Sequence, residues 1–191
     1  DHPYNWTTIG ELEDLQNATL KDVRDFYEEW YGPNNATMVI AGDIKKREVK
    51  QLVEKYFGEI KPGPDNGDPE PMPIQLSETK KVYHEDNFAR SPRLSMNFPT
   101  VDQGHFDAAA LELLGQLLGE GKKAPLYKVI VEQKKLAPSL FSYSNTQEIA
   151  GTFNVTVTGF PTTNLTDVEN AVHEAFNLFE SDGFTTEDLE R

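Results

Sequence analysis

The chain contains no cysteine. That absence excludes disulfides, Cys-ligated zinc, iron–sulfur clusters and thiol nucleophiles together. It leaves the compartment open, because a thiol-free chain suits both the cytosol and an oxidising envelope. Basic residues are scarce as well: 18 Lys and Arg stand against 32 Asp and Glu, for a formal net charge of -14. Such an excess repels phosphate backbones, so no nucleic-acid partner is expected and the charge reads as a solvated acidic surface. No apolar run approaches the roughly 18 residues of a membrane helix, so no membrane span is expected. The opening DHPYNW lacks an initiator Met, a basic n-region and an apolar h-region, and reads as the start of a mature or excised segment.

What is present is enough to fold. The 191 residues are 37% hydrophobic, which suits one domain plus a fraction, or two small ones. Residues 1–18 read as loop. Thr19 then reads as an N-cap, with Asp22 in the first turn, and Leu20, Val23, Phe26, Tyr27, Trp30 and Tyr31 follow helical spacing. Gly32-Pro33-Asn34-Asn35 stops that helix. Thr37–Ala41 reads as a short strand buried on both faces, and Asp43 as the cap of a second helix carrying Val49, Leu52, Val53, Tyr56 and Phe57, closed by Gly58. A lone strand cannot satisfy its ladder groups, so its partners are expected from residues 79–160 or from outside this chain.

Composition breaks at residues 61–73, KPGPDNGDPEPMP, with five prolines and two glycines: a semi-extended linker and the best candidate domain boundary. Beyond it, Lys80–Glu85 and Arg93–Phe98 read as strands, the second with Leu94, Met96 and Phe98 on a buried face. Phe106–Leu118 reads as an amphipathic helix ended by Gly119-Glu120-Gly121, and Pro125 starts a short helix through Gln133. Ser139–Thr146 and Thr152–Phe160 read as a hairpin. Leu165–Ser181 reads as a long helix with Val168, Val172, Ala175, Phe176 and Phe179 inward, ended by Gly183. Thr185–Leu189 has the form of one more helix start, which reads as a segment cut within a larger protein. The four Asn-x-Thr sequons, at Asn17, Asn35, Asn154 and Asn164, read as chance and capping chemistry rather than glycosylation sites.

No catalytic constellation stands out. The four histidines, His2, His84, His105 and His173, belong to neither HExxH nor HxxEH. His173 reads as a helix surface or boundary residue, His84 as an exposed strand-end group and His105 as loop. There is no GxSxG elbow. The phosphate-loop pattern fails twice, because Gly121-Lys122 is followed by Lys123 and the glycine expected five before Gly121 is Gln116. Gly119-Glu120-Gly121 is a weak anion-site signal that Glu120 opposes. No carboxylate pair is singled out by spacing, and the aromatics fall at core intervals. No catalytic, cofactor-binding or metal-ligating residue is therefore assigned.

Several stretches do carry a resemblance: HPYNWTTIGELEDL (2–15), ATLKDVRDFYEEWYGPNNATMVIAGD (18–43), VEKYFGEI (53–60), ALELLGQLLGEGKKAPLYKVIVEQKKLAPSL (110–140) and TEDLER (186–191). Together they resemble the insulinase-like (M16) zinc metallopeptidases, in matching order over nearly the whole chain. The resemblance implies an α+β fold, an antiparallel sheet with helices packed on it. Residues 1–60 would be the C-terminal part of a first domain, 61–78 the proline-rich linker, and 79–191 most of a second domain, truncated at its C-terminus. In that family HxxEH supplies two His ligands and a Glu general base, with a Glu ligand about seventy residues later. All of these fall upstream of the position matching His2, so the resemblance implies no zinc ligand in this chain and a zinc ion in its parent.

It further implies a noncatalytic scaffold and chamber-forming segment of a zinc metalloendopeptidase, inactive alone. Its partners would be the remaining domains of the parent or a partner half, and its parent's substrate a peptide. The HPYNW start is similar to that of catalytic halves. Where the family often shows Ser-Ser-Arg-Leu-Tyr, this chain has Lys123-Ala124-Pro125-Leu126-Tyr127, which removes an Arg and any substrate contact inferred from it. The alternative is a segment of a catalytically inactive assembly subunit of the same fold, separated from the first by whether HxxEH lies upstream. A third reading, a free-standing acidic binding module, is disfavoured by the interrupted last helix. Location follows from resemblance only, and points to the bacterial periplasm or cell envelope.

Overall fold

The computed structural model describes residues 2–189. Contacts separate the chain into two units, residues 1–68 and 69–191, with the division inside the proline-rich stretch.

The first unit is helical. A 3-10 turn at Pro3–Asn5 precedes α1 (Leu12–Asn17) and α2 (Leu20–Trp30); a second 3-10 turn at Pro33–Asn35 leads towards α3 (Lys46–Phe57). At the start of α2 the Asp22 N–H donates to Thr19 Oγ1 at 3.3 Å, while the Thr19 N–H donates to Asp22 Oδ2 at 2.8 Å. This reciprocal capping box satisfies two amide groups that a helix start otherwise leaves unpaired. The Thr19 hydroxyl, and then its N–H, hold the Asp22 carboxyl below its ordinary pKa of 3.8.

Three expectations for this unit need correction. Residues 1–18 are not all loop: Leu12–Asn17 is helical, being built of good helix formers with Glu13 and Asp14 in the favourable first turn. Asp43 does not cap α3. Gly42 takes a φ of +145° and the Ile44 N–H bonds back to Gly42 O at 3.0 Å, so a tight turn delays the helix until Lys46. Lys45 then stands at the cap position with no side-chain cap. Thr37–Ala41 takes no regular secondary structure and is exposed, and no strand among the described residues pairs with it. With no pairing strand among the described residues, the apolar run does not become a strand.

In the second unit the order is β1 (Arg93–Thr100), α4 (Ala108–Gly119), a π-helical segment (Tyr127–Gln133), β2 (Ser139–Thr146), β3 (Gly151–Thr158), α5 (Leu165–Asp182) and α6 (Thr186–Leu189). The strands form an antiparallel sheet of order β1-β3-β2, with helices packed on it: an α+β architecture. Register places Leu94, Val157 and Leu140 in one cross-strand row, Met96, Val155 and Ser142 in the next, and Phe98, Phe153 and Ser144 in the third. These alternate positions share one face. Against that face sit Leu118 of α4, Val129 and Ile130 of the π-helical segment, and Val168, Ala171, Val172 and Ala175 of α5, all buried.

The helix ends follow their local chemistry. Asn164 caps α5 by accepting from the Thr166 N–H at 2.8 Å, so this sequon asparagine is structural. Gly183, at φ +68°, ends the helix. Asn154, a second sequon residue, is buried in the central strand. α4 lies close on β2 because Gly115 and Gly119 present no side chain to the Ser142–Tyr143 backbone.

Two expectations differ here as well. Lys80–Glu85 takes no regular secondary structure and pairs with no strand among the described residues; its Lys81 Nζ instead reaches Glu169 Oε1 on α5 at 2.6 Å. The short helix from Pro125 widens into a π turn, with the Lys134 N–H bonding Val129 O five residues back at 3.0 Å. Lys135 follows at φ 51°, a left-handed conformation rare outside glycine. The helix start at Thr185 forms, with the Thr185 N–H donating to Asp188 Oδ2 at 2.9 Å; Glu190 and Arg191 of the TEDLER stretch lie outside the described residues.

Candidate functional site

Chemistry in this chain would have to start from its histidines and carboxylates, which among the described residues form no group of three. His2 caps the first 3-10 turn, its Nδ1 accepting from the Tyr4 N–H at 3.1 Å. His84 lies in an exposed extended stretch. His105 precedes α4, where its Nδ1 accepts from the Asp107 N–H at 3.2 Å and stands 3.7 Å from Asp107 Oδ2. His173 lies exposed on α5, its ring edge-on to Phe176. A zinc site requires three or four such donors at about 2.0–2.2 Å from one point. Among the described residues no three His, Asp or Glu side chains come together in that way, so the donor set does not fit a zinc ion.

Two shallow recesses lie beside α4. One, between the first turns of α4 and the end of β2, is lined by Gln103, Ala108, Ala109, Glu112, Ser144 and Asn145, with Glu112 its single carboxylate. Ser144 Oγ at this recess, and Ser142 Oγ further along β2, are buried without a hydrogen-bond partner among the described residues. Close helix–strand packing, rather than ligand chemistry, accounts for their position. Gly119-Glu120-Gly121 closes α4, with the Glu120 N–H bonded to Gln116 O at 2.8 Å. Lys123 beyond it is paired to Glu187 Oε1 at 2.6 Å.

The conspicuous surface is apolar. In the first unit Gly32 alone is buried among the described residues. The helical faces that sequence spacing marks as core are open: Phe26 is 58% exposed on α2 and Leu52 52% on α3, while Val39 of the unpaired extended run is 84% exposed. Tyr27 and Tyr31 stack on each other at 5.2 Å and are both largely exposed. Exposed apolar stripes of this kind, on two helices and an unpaired run, mark a surface suited to being covered.

The sequence profile of the peptidase M16 inactive domain matches residues 17–191. The chain belongs to the peptidase M16 family. Within it, this M16 segment is 35% identical over 146 residues to the zinc protease PqqE of Helicobacter pylori, covering 75% of this chain and 33% of that protein. Among solved structures, the M16 inactive domain from Pseudomonas fluorescens superposes with a TM-score of 0.79 at 19% identity, over 99% of this chain and 45% of the other. The first half of the periplasmic protease PqqL from Escherichia coli superposes with a TM-score of 0.65 at 21% identity, over 95% of this chain and 40% of the other. The chain thus spans less than half the length of each of these three proteins.

One constellation in the M16 segment escapes periodicity and motif scanning. Gly32, Asn34, Gly63 and Asn66 meet at the end of α2. The only sequence signal is that glycine and asparagine recur on both sides of α3, where turn chemistry alone explains them.

Proposed function

We propose that this M16 segment is the noncatalytic scaffold and chamber-forming part of a longer zinc metalloendopeptidase that hydrolyses peptides. The observation that carries the reading is the match to the M16 inactive domain over residues 17–191. Two features support it. The described residues offer no donor set for zinc, so the metal of the parent would be held by residues elsewhere. The open faces of α2 and α3 and the unpaired run at Thr37–Ala41 call for covering elements, which the remaining domains of the parent would supply. In this reading residues 1–60 complete a first domain, 61–78 link it, and 79–191 build a second. The relative named as periplasmic supports an envelope location for the parent. No helix among the described residues is long and apolar enough to cross a membrane.

The test compares hydrolysis of an unstructured peptide by the full-length parent and by this chain alone. The parent is expected to cleave, to hold zinc and to stop when a chelator removes it; the isolated chain is expected to do none of these. Chelator-sensitive cleavage by residues 1–191 alone would overturn the proposal. A zinc-free, inactive parent would instead identify the chain as part of an assembly subunit of the same fold.

A further inference from the structure

By composition the proline-rich stretch is a tether, yet its first half is held fast. Gly32, directly after α2, is buried by Gly63: a Cβ on Gly32 would stand 2.5 Å from Gly63 N and 2.9 Å from Gly63 Cα. A Cβ on Gly63 would stand 3.3 Å from Glu28 O and 3.4 Å from Gly32 Cα. Two stretches of backbone meet where neither carries a side chain. Asn34 closes the contact with both ends of its amide. Its Oδ1 accepts from the Gly63 N–H at 2.7 Å, and its Nδ2 donates to Pro64 O at 2.9 Å. Asn66 returns a third bond, its Nδ2 donating to Glu29 O at 2.7 Å. Glu29 O lies in the last turn of α2, among the carbonyls that a helix end leaves without intrahelical donors. The next carbonyl is served in the same manner, Trp30 O accepting from Asn35 Nδ2 at 2.9 Å, while Tyr27 O takes the Tyr31 N–H of the helix cap at 3.0 Å. At the far side of the stretch the Met72 N–H donates to Ile149 O at 2.7 Å, anchoring Met72 in the second unit.

We infer that residues 63–66 form a strap clasped to the carboxyl end of α2 by Asn34 and Asn66, so that the hinge in this chain is confined to residues 67–71. Those five residues, Gly-Asp-Pro-Glu-Pro, replace the whole of 61–78 as the freely varying length. Fully extended they reach about 17 Å. Pro69 and Pro71 fix their own φ and restrict Asp68 and Glu70 before them. Gly67, at φ +64° and with its N–H donating to Asp65 Oδ1 at 3.2 Å, is the pivot whose backbone no side chain or ring restricts, placed directly after the clasp. The linker therefore acts as a short, stiff swivel rather than a flexible spacer. The inference does not depend on whether the parent cuts peptides.

Endoproteinase Asp-N, which cuts on the amino side of aspartate, tests it within one molecule. It addresses the Pro64–Asp65 bond inside the strap and the Gly67–Asp68 bond inside the hinge. In the full-length protein, with rates normalised to a synthetic peptide of residues 58–74, the strap bond is expected to be cut about tenfold more slowly, as two or three hydrogen bonds require. Asn34→Ala/Asn66→Ala is expected to bring the two rates within about threefold of each other, while the Arg24–Asp25 bond inside α2 stays protected. Equal normalised rates in the natural sequence would overturn the inference, as would an unchanged ratio in the variant. The natural-sequence ratio decides by itself if the variant fails to fold.

Discussion

Gly119→Ala puts a single methyl group where the second unit has no room for it. The new Cβ would stand 2.7 Å from Ser142 Cβ, 3.3 Å from Ser142 N and 3.5 Å from Leu140 Cδ1. Non-bonded carbons prefer about 3.5–4.0 Å, so the methyl intrudes by roughly 1 Å on a strand held on its other side by β3. Overpacking of this kind costs about 1–3 kcal/mol. Replacing glycine inside a helix returns up to about 1 kcal/mol, and less at the last helical residue, where Gly119 sits. The expected net effect is a destabilisation of about 1–2 kcal/mol, a factor of roughly 5–30 in local opening. Gly115 serves as the comparison. Its Cβ would meet the Tyr143 Cα at 3.0 Å, a smaller intrusion, and its mid-helix position returns the full propensity gain, so Gly115→Ala is expected to cost less than Gly119→Ala. Hydrogen exchange with mass spectrometry on the full-length protein, read in peptides from α4 and β2, reports both. A double-mutant cycle sharpens the test, since Ser142→Gly removes the atom that the methyl meets. In that background Gly119→Ala should cost about 1 kcal/mol less. A neutral or stabilising Gly119→Ala, or an uncoupled cycle, would refute the packing argument.

Lys135→Gly relieves a left-handed conformation that costs a side-chain-bearing residue about 1–2 kcal/mol, partly offset by the looser unfolded chain that glycine brings. Thermal unfolding should move up by about 1–3 °C; an unchanged or lower midpoint would count against the strain. The Asp22 carboxyl should titrate below its ordinary 3.8 in an NMR pH series, and Thr19→Ala should return it towards that value. Because the folded pKa is depressed, the capping contribution of Asp22 is present above pH 3.8 and is lost as pH falls through the folded value. Fraying of the first turn of α2 near neutral pH in the Thr19→Ala variant is the matching expectation, and a fully protected turn would contradict it.

The sequence discloses most where a pattern closes on itself within the chain. The hairpin is legible because Phe153, Val155 and Val157 alternate with polar residues and face Ser144, Ser142 and Leu140 across the ladder. α5 is legible because its inward residues recur at helical spacing between an Asn cap and a Gly stop. Thr19 and Asp22 name the start of α2 before any coordinates do. Reading fails where the outcome depends on groups that the local pattern does not contain. Thr37–Ala41 has a strand's composition, but no strand among the described residues pairs with it. Asp43 has a cap's chemistry, but the Gly42 turn spends the next two residues before α3 can begin. For the candidate site, the M16 relationship is legible from the order of five quoted stretches and is matched over residues 17–191. The clasp is not, because Asn34 and Gly63 are 29 residues apart and each is fully explained as turn chemistry.

The central claim, that this M16 segment frames a zinc site without contributing to it, is tested most directly by metal content in the full-length protein. His84→Ala/His105→Ala/His173→Ala removes three imidazoles that the structure keeps apart. Elemental analysis should find the same zinc per chain in this variant as in the natural protein. Loss of zinc from a variant whose circular dichroism is unchanged would contradict the account.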